Sequence, residues 1–405
     1  LSYNKTFDKN LKLGLQASLF RTDEDENYDI TGQYWLSETP IQNGRADTAN
    51  TTLLGIGTYH EHARNHLTAN VLNVSHTGSY KAGQHDIQWG LSIQQERITD
   101  QLREWEMRDS AGYALPHNGS AINMVYTLLS SQHMVSNRLQ AYLQDCWKFR
   151  TDAGLFILTG GIRTNYWNFN RELLVSPRAT LAFLPAWEKD FTFRLSTGVY
   201  HQAPFYKELR DTFNMGGVTR VQLNRNIEAQ RSIQFVGGMD HHFIWLERPF
   251  KFTAEAYYKA LSNLIPYTVD NVRIRYSGHN EAKGYTTGLD MKLFGEFVPG
   301  TDSWISFSLM RSRETVGDVW VSRPNEQRYN VSVYFQDYFP NNPKFSMNLK
   351  LIWSDGLPFG PPNSGRLYST ANRMKPYRRV DIGLSRVLVN GEDKIMQSGL
   401  LKNFH

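Results

Sequence analysis

The segment "HEHARNH" places His60, His62 and His66 beside Glu61, a donor set of the kind that captures zinc. The order is not the His-Glu-x-x-His of a metalloprotease helix, so that chemistry is excluded. The plainer reading is a polar loop, and no metal site is assigned. His241 and His242 fall inside an alternating segment, where neighbouring side chains point to opposite faces, so the two rings do not form one site. Arg178, Arg194, Glu255, Lys259, Asp290, Lys292 and Glu296 occupy the polar positions of similar segments. Paired carboxylates can hydrolyse glycosides, but alternating signs on adjacent strands fit ion-pair ladders along a wall better. The sequence holds no Gly-x-Ser-x-Gly elbow and no phosphate loop, and neither an enzyme nor a resident cofactor is expected. Tyr34, Trp35, Trp105, Tyr113, Trp320 and Phe359 sit in segments expected to be loops. They are the candidate ligand-binding residues, able to stack on a sugar ring or a flat chelate, or equally to anchor loops and exclude water from a mouth.

What must position these residues is a set of strands. In "FKFTAEAYYKA", Phe250, Phe252, Ala254, Ala256, Tyr258 and Ala260 alternate with Lys251, Thr253, Glu255, Tyr257 and Lys259. Period two makes this a strand with one apolar and one charged face. The same alternation puts Leu11, Leu13, Leu15, Ala17 and Leu19 on one face, and likewise Phe191, Phe193, Leu195 and Val199. It does so again for Leu289, Met291 and Leu293, and for Tyr329, Val331, Val333 and Phe335. About fifteen such segments are joined alternately by short turns and long polar connections. Short turns are expected near Asp8 to Asn10, Thr77 to Gln84, Lys148 to Asp152, Leu184 to Asp190, Leu246 to Pro249, Val298 to Asp302 and Pro340 to Lys344. Long connections are expected at Asp23 to Asn65, Asp100 to His133, Ala203 to Gln230, Pro266 to Lys283, Thr315 to Glu326 and Ser354 to Arg379.

Short turns at one end and long loops at the other is the pattern of an outer-membrane barrel, with turns in the periplasm and loops outside. Trp187, Trp245, Phe250, Phe339 and Phe345 crowd beside the short turns, where an interfacial aromatic girdle belongs. The apolar faces would then meet lipid and the charged faces a lumen. Composition permits this. Of 405 residues, 40% are hydrophobic, far from a continuous helical span, yet a barrel strand needs only alternate apolar positions. Aromatics reach 13%, which favours strands and membrane interfaces. A net charge of +5, from 44 basic and 39 acidic residues, gives no reason to expect nucleic acid. Cys146 is the sole cysteine, which excludes an intrachain disulfide and a cysteine metal cluster. It lies in an expected strand and reads as packing.

On these residues the chain resembles a TonB-dependent outer-membrane receptor, and within that class the nutrient receptors of Bacteroidetes-type bacteria. "SPRATLAFLP" (Ser176 to Pro185) is similar to the mid-barrel strand before a short turn. "GVYHQAPFYKEL" (Gly198 to Leu209) resembles the strand that enters a long outer loop through an Ala-Pro step. "NRNIEAQRSIQFVGGMDHHF" stands in the place of the family's Asn-Pro-x-Leu-x-Pro-Glu segment, without its prolines. "LPFGPP" followed by "PYRRVDIGLS" resembles the late-barrel loop and strand.

The resemblance implies an all-β antiparallel transmembrane barrel, here residues 1–405 as one partial domain with about fifteen of roughly 22 strands. A signal sequence, a TonB-contact box and a globular plug precede the barrel in such receptors and are not found in this sequence, so a segment of a longer receptor is expected. The function implied is energised uptake of a scarce nutrient: a metal chelate, vitamin, peptide or oligosaccharide. The partners implied are the TonB complex acting through the plug, outer-membrane lipid, and a surface lipoprotein as in glycan importers. Two other readings stay open, a passive porin or adhesin barrel and a soluble all-β carbohydrate-active protein. The soluble reading requires the faces carrying Phe252, Leu293 and Val333 to be covered by protein.

Overall fold

The computed structural model describes residues 1–7, 9–42, 45–46, 51–109, 123–270, 273–340, 342–360 and 366–387. Asp8 and Tyr113 lie outside them. The first part of the chain forms β1 (Ser2–Thr6), β2 (Leu11–Glu38), β3 (Ile41–Gln42), β4 (Arg45–Ala46), β5 (Thr52–Ala82), β6 (His85–Arg108), β7 (Asn123–Thr151), β8 (Gly154–Trp167), β9 (Glu172–Pro185) and β10 (Asp190–Gln202). A 3-10 turn, Tyr206–Leu209, leads into β11 (Arg210–Met215), β12 (Val218–Leu223), β13 (Gln230–Trp245) and β14 (Arg248–Leu264). Then come β15 (Tyr267–Asp270), β16 (Arg273–Tyr276), β17 (Ala282–Val298), β18 (Thr301–Val316) and β19 (Val319–Ser322). The last strands are β20 (Tyr329–Phe339), β21 (Asn342–Ser354), β22 (Pro358–Phe359), β23 (Asn372–Arg373) and β24 (Tyr377–Arg386).

Among the described residues eighteen strands form one sheet. Setting aside the loop arms β11, β12 and β19 leaves a fifteen-strand antiparallel meander from β1 to β24. Among the described residues no helix is long and apolar enough to cross a membrane. The architecture is that of a transmembrane β-barrel wall.

The register carries each alternating face across its neighbours. Leu195 stands opposite Leu181 and Gly237, Gly237 opposite Ala256, Ala256 opposite Leu289, and Leu289 opposite Leu309. This apolar face has no covering layer among the described residues, and Leu195 keeps 65% exposure. A second protein layer, as the soluble reading requires, is absent there. Aromatic rings bound the face above and below. Near the turns Phe149 stacks on Phe156, Phe156 on Phe183 at 4.5 Å, Phe191 on His241 at 3.9 Å, and Phe250 meets Phe297 at 5.0 Å. Toward the long loops Tyr258, Tyr285 and Trp320 follow one another, and Tyr329 meets Trp353. From Phe250 to Tyr258 on β14 a tilted strand rises about 20 Å, close to the apolar height of a barrel.

Two expected loops are strands. β2 has 28 residues and β5 has 31, so most of Asp23 to Asn65 continues the ladder above the membrane. Thirty residues of strand extend roughly 100 Å, several times what lipid requires. The polar sequence misled because polarity on both faces marks a strand in water as readily as a loop. Asp100 to Arg108 and Asn123 to His133 likewise belong to β6 and β7. The turn expected over Thr77 to Gln84 shrinks to Gly83 and Gln84, and Gly83 adopts φ 61°. At Leu246 and Glu247 both turn residues take positive φ, 52° and 60°, without glycine.

The buried core is not between sheets. Ile98, Met134, Trp167 and Phe169 pack with Tyr206, Leu209, Ile227 and Ile265, so the connection 203–229 lies against the concave side of β6–β8. A smaller cluster joins Leu102 and Leu128 to Val221. β12 also pairs in parallel with β7 through Thr219 and Arg220.

Candidate functional site

At the long-loop end the inner faces of β2, β5, β6 and β7 form one wall of a chamber of about 830 Å³. Alternation decides which side chains enter it. Glu24 and Glu26 face inward on β2, and Leu67 and Asn65 stand opposite them on β5. Asp100, Leu102, Glu104 and Glu106 share the inward face of β6, with Leu128 and Tyr126 beside Glu104 and Glu106 on β7. Asn65 donates to Glu104 at 2.8 Å, and its side-chain carbonyl accepts from the Arg103 amide.

The other wall is supplied by loops, and it brings the cations. Connection 203–229 acts as a strap. Tyr206 donates its hydroxyl to Asp100, Arg210 forms an ion pair with Asp100 at 2.8 Å, and Lys207 pairs with Glu24. Arg138 donates to the Pro204 carbonyl, and Glu172 accepts the Ala229 amide at 3.0 Å. Arg275, from the β15–β16 hairpin, reaches Glu104 at 3.4 Å. In a flat sheet β2 and β10 would stand about 29 Å apart, so these contacts span the mouth. Burial raises the Asp100 carboxyl above the ordinary range against the opposing pull of Arg210, and burial likewise raises Glu208. The Tyr206 hydroxyl is raised too, first by burial and then by the Asp100 charge, and so stays a donor. The chamber can hold a polar solute between carboxylates on the wall and cations on the loops.

The expected aromatic residues fall in different places, with Trp105 among those lining the chamber. Tyr34 faces inward and donates to the Asp109 carbonyl. Trp35 is exposed on the opposite face of β2, and Trp105 on β6 stacks on His62 at 4.7 Å, His62 and Trp105 both lining the chamber. Trp320 joins Tyr285 in the upper girdle, Phe359 is exposed in the β22–β23 hairpin, and Tyr113 lies outside the described residues. His60, His62 and His66 stand in β5 rather than a loop, and Glu61 points away from all three. They face Asp29 and Asp25 instead, with His62 at 2.6 Å from Asp29. Arg64 also binds Asp29, and its hydrogen bond holds that carboxyl down at about 2.

The inner charges lower in the barrel also pair differently from expectation. Arg194 takes Asp240, which Lys251 and Thr253 share at 3.3 and 2.9 Å. Glu255 stands directly opposite Asp290, two like charges, and neither forms an ion pair among the described residues. Arg178 lies 4.0 Å over the Tyr200 ring, Lys259 over Tyr257, and Lys292 over Trp304. Glu296 is 3.4 Å from the Gly300 amide. These cations rest on aromatic rings rather than on carboxylates.

The signal missed in the sequence is period two within "TDEDENYDI" and "TDQLREWEM": read as strands, they place Glu24 and Glu26, and Asp100, Glu104 and Glu106, on single faces.

A family profile described as "TonB dependent receptor-like, beta-barrel" matches residues 1–387. No curated protein matches the sequence. Among solved structures, the FpvAI–pyocin S2 complex is similar at TM-score 0.55 and 14% identity, covering 96% of this chain and 50% of that one. FpvA of P. aeruginosa bound to a pyoverdine–iron complex gives 0.50 and 12%, over 95% and 48%. The ferric enterobactin receptor of Pseudomonas aeruginosa gives 0.48 and 11%, over 96% and 61%. The chain therefore spans less than two thirds of the length of these receptors. At such identities the likeness concerns the fold. The family match together with the sided, girdled meander places the protein in the outer membrane, and the chain belongs to the TonB-dependent receptor β-barrel family.

Proposed function

We propose that this barrel forms the wall of a TonB-energised receptor that captures a scarce solute in the chamber at its mouth and passes it inward through the lumen. The observation that carries this reading is the chamber itself, about 830 Å³ with a mixed polar and apolar lining, roofed by a strap pinned to the inner wall. The inward wall carries Glu24, Glu26, Glu61, Glu104 and Glu106 against Lys207, Arg210 and Arg275 from the loops, a balance that favours a neutral or cationic solute over a polyanion. A peptide, an oligosaccharide, a vitamin or a metal chelate of that charge fits. No bond need be made or broken, because transport requires only that affinity differ between two states of a plug. The plug and TonB are the partners of this mechanism, and a surface lipoprotein lid is a further one.

The test is uptake by cells producing the complete receptor. Accumulation of the solute should stop when TonB is removed, and Glu24→Gln with Glu104→Gln should weaken capture about tenfold. Unchanged flux without TonB would establish the passive porin instead.

A further inference from the structure

The outward face also carries an apolar groove and an unpaired basic cluster, one directly above the other. One outward row runs Ala179, Thr197, Phe235, Tyr258, Thr287 and Arg311. The row beneath contains Leu195, Gly237 and Ala256. Between them opens a groove of about 660 Å³, floored by the small residues Ala179, Gly237 and Ala256 and walled by Leu195, Phe235 and Tyr258. A Cβ built on Gly237 would meet only Leu195 Cδ2, at 3.5 Å, so among the described residues nothing fills this space.

The row above the groove holds Ile233, Ala260, Tyr285 and Arg313, and the outward positions above that include Arg231 and Lys283. Arg231, Lys283 and Arg311 are exposed and Arg313 is half-buried. Among the described residues none of the four has an ion pair, and the buried Arg313 Nε has no hydrogen-bond partner. Arg194, Arg210, Arg323, Arg328 and Arg373 by contrast each hold a carboxylate. Tyr258, Tyr285 and Trp320 fix the height of the cluster as the headgroup level of the outer leaflet. Unpaired cations at a lipid boundary are costly unless an anion meets them.

We propose that this face binds a phosphate-bearing lipid of the outer leaflet, with its acyl chain in the groove and its phosphate on Arg231, Lys283, Arg311 and Arg313. Charge complementarity selects this occupant, because a planar guanidinium matches phosphate oxygens and the cations lie within about 13 Å of strand above the groove.

The test uses the complete receptor in detergent, titrated with bis-phosphorylated lipid A and with the same lipid stripped of phosphate, and read by native mass spectrometry. The phosphorylated lipid should be retained about tenfold better. Replacing the four cations by Gln should erase that preference, and Arg→Lys replacements at 231, 311 and 313 should keep most of it. Gly237→Leu, which fills the groove, should weaken retention of both lipids. Equal retention of the two lipids by the unmodified receptor, or a preference that survives the Gln replacements, would overturn the proposal.

Discussion

Tyr206 and Asp100 are 106 residues apart in sequence, yet the tyrosine hydroxyl donates to Asp100 Oδ2 at 3.0 Å. Arg210 completes the clasp, and Asp100 itself is fully buried. Asp100→Ala leaves a guanidinium and a hydroxyl without their acceptor. The expected cost is about 2–4 kcal/mol, below a fully buried pair because Arg210 keeps some solvent. Hydrogen exchange should rise across residues 203–229 while β13 and β14 stay protected. Tyr206→Phe should cost only about 1 kcal/mol. Unchanged protection of 203–229 in Asp100→Ala would show that the strap is held by apolar packing alone.

The same carboxyl gives the strap a pH dependence of defined sign. Burial raises its folded pKa above the unfolded value, so the folded state binds a proton more readily than the unfolded chain. Its contribution therefore favours the docked strap below the unfolded pKa and is lost as pH rises through the folded one. Exchange in 203–229, corrected for intrinsic rates, should be slower at pH 5 than at pH 7, and Asp100→Asn should remove that difference. Faster exchange at pH 5 would show that the Arg210 pairing outweighs burial.

The turn between β13 and β14 holds Leu246 at φ 52° and Glu247 at φ 60°. This left-handed region costs an ordinary residue about 1–2 kcal/mol, and a two-residue hairpin of this kind favours Asn-Gly. Leu246→Asn with Glu247→Gly should therefore stabilise the barrel by about 1 kcal/mol, read as a shift in the urea midpoint of refolding into vesicles. No shift, or a lower midpoint, would mean that Leu246 contributes an interfacial contact of equal weight.

Lipid-facing and inward positions on the neighbouring strands β17 and β18 should respond oppositely to charge. Leu289 faces outward between the two girdles, and Leu289→Arg should cost about 2–4 kcal/mol. Ser308 faces inward opposite Asp290, so Ser308→Arg should be neutral or stabilising. Equal costs at the two sites would contradict the assignment of faces.

Most of the wall was legible because a barrel strand in lipid has one obligatory apolar face. Phe250 to Ala260 and Leu289 to Leu293 could alternate in no other useful way, and their neighbours follow in register. Above the membrane that constraint ends. Glu24, Glu61 and Glu104 are polar on a strand whose other face is also polar, so "DEDENYD" and "HEHARNH" read as loops until pairing is known. Asp100 was obscure for a different reason: its partners Tyr206 and Arg210 arrive from a loop whose docking no local pattern announces. Trp105 and Trp320 were harder to place because an aromatic near a mouth has two uses: here Trp105 stacks on His62 beside the chamber and Trp320 joins the girdle.

Glu255 and Asp290 face each other across β14 and β17 on the inner wall, with no ion pair to either among the described residues. Directly opposed like charges destabilise a sheet by up to about 1 kcal/mol, because strand geometry holds them closer than either would choose. Glu255→Gln keeps the shape and hydrogen-bonding capacity of the side chain and removes the repulsion. It should therefore raise barrel stability by about 0.2–1 kcal/mol at low ionic strength. Salt separates this cause from a packing effect: screening over a Debye length of about 8 Å at 0.15 M should relieve the repulsion in the unmodified wall and leave the variant unmoved. Thermal unfolding at low and moderate salt decides the matter. If salt shifts both proteins equally, the Arg194 charge across Gly238 from Glu255 already offsets the repulsion, and the pair is not an uncompensated strain.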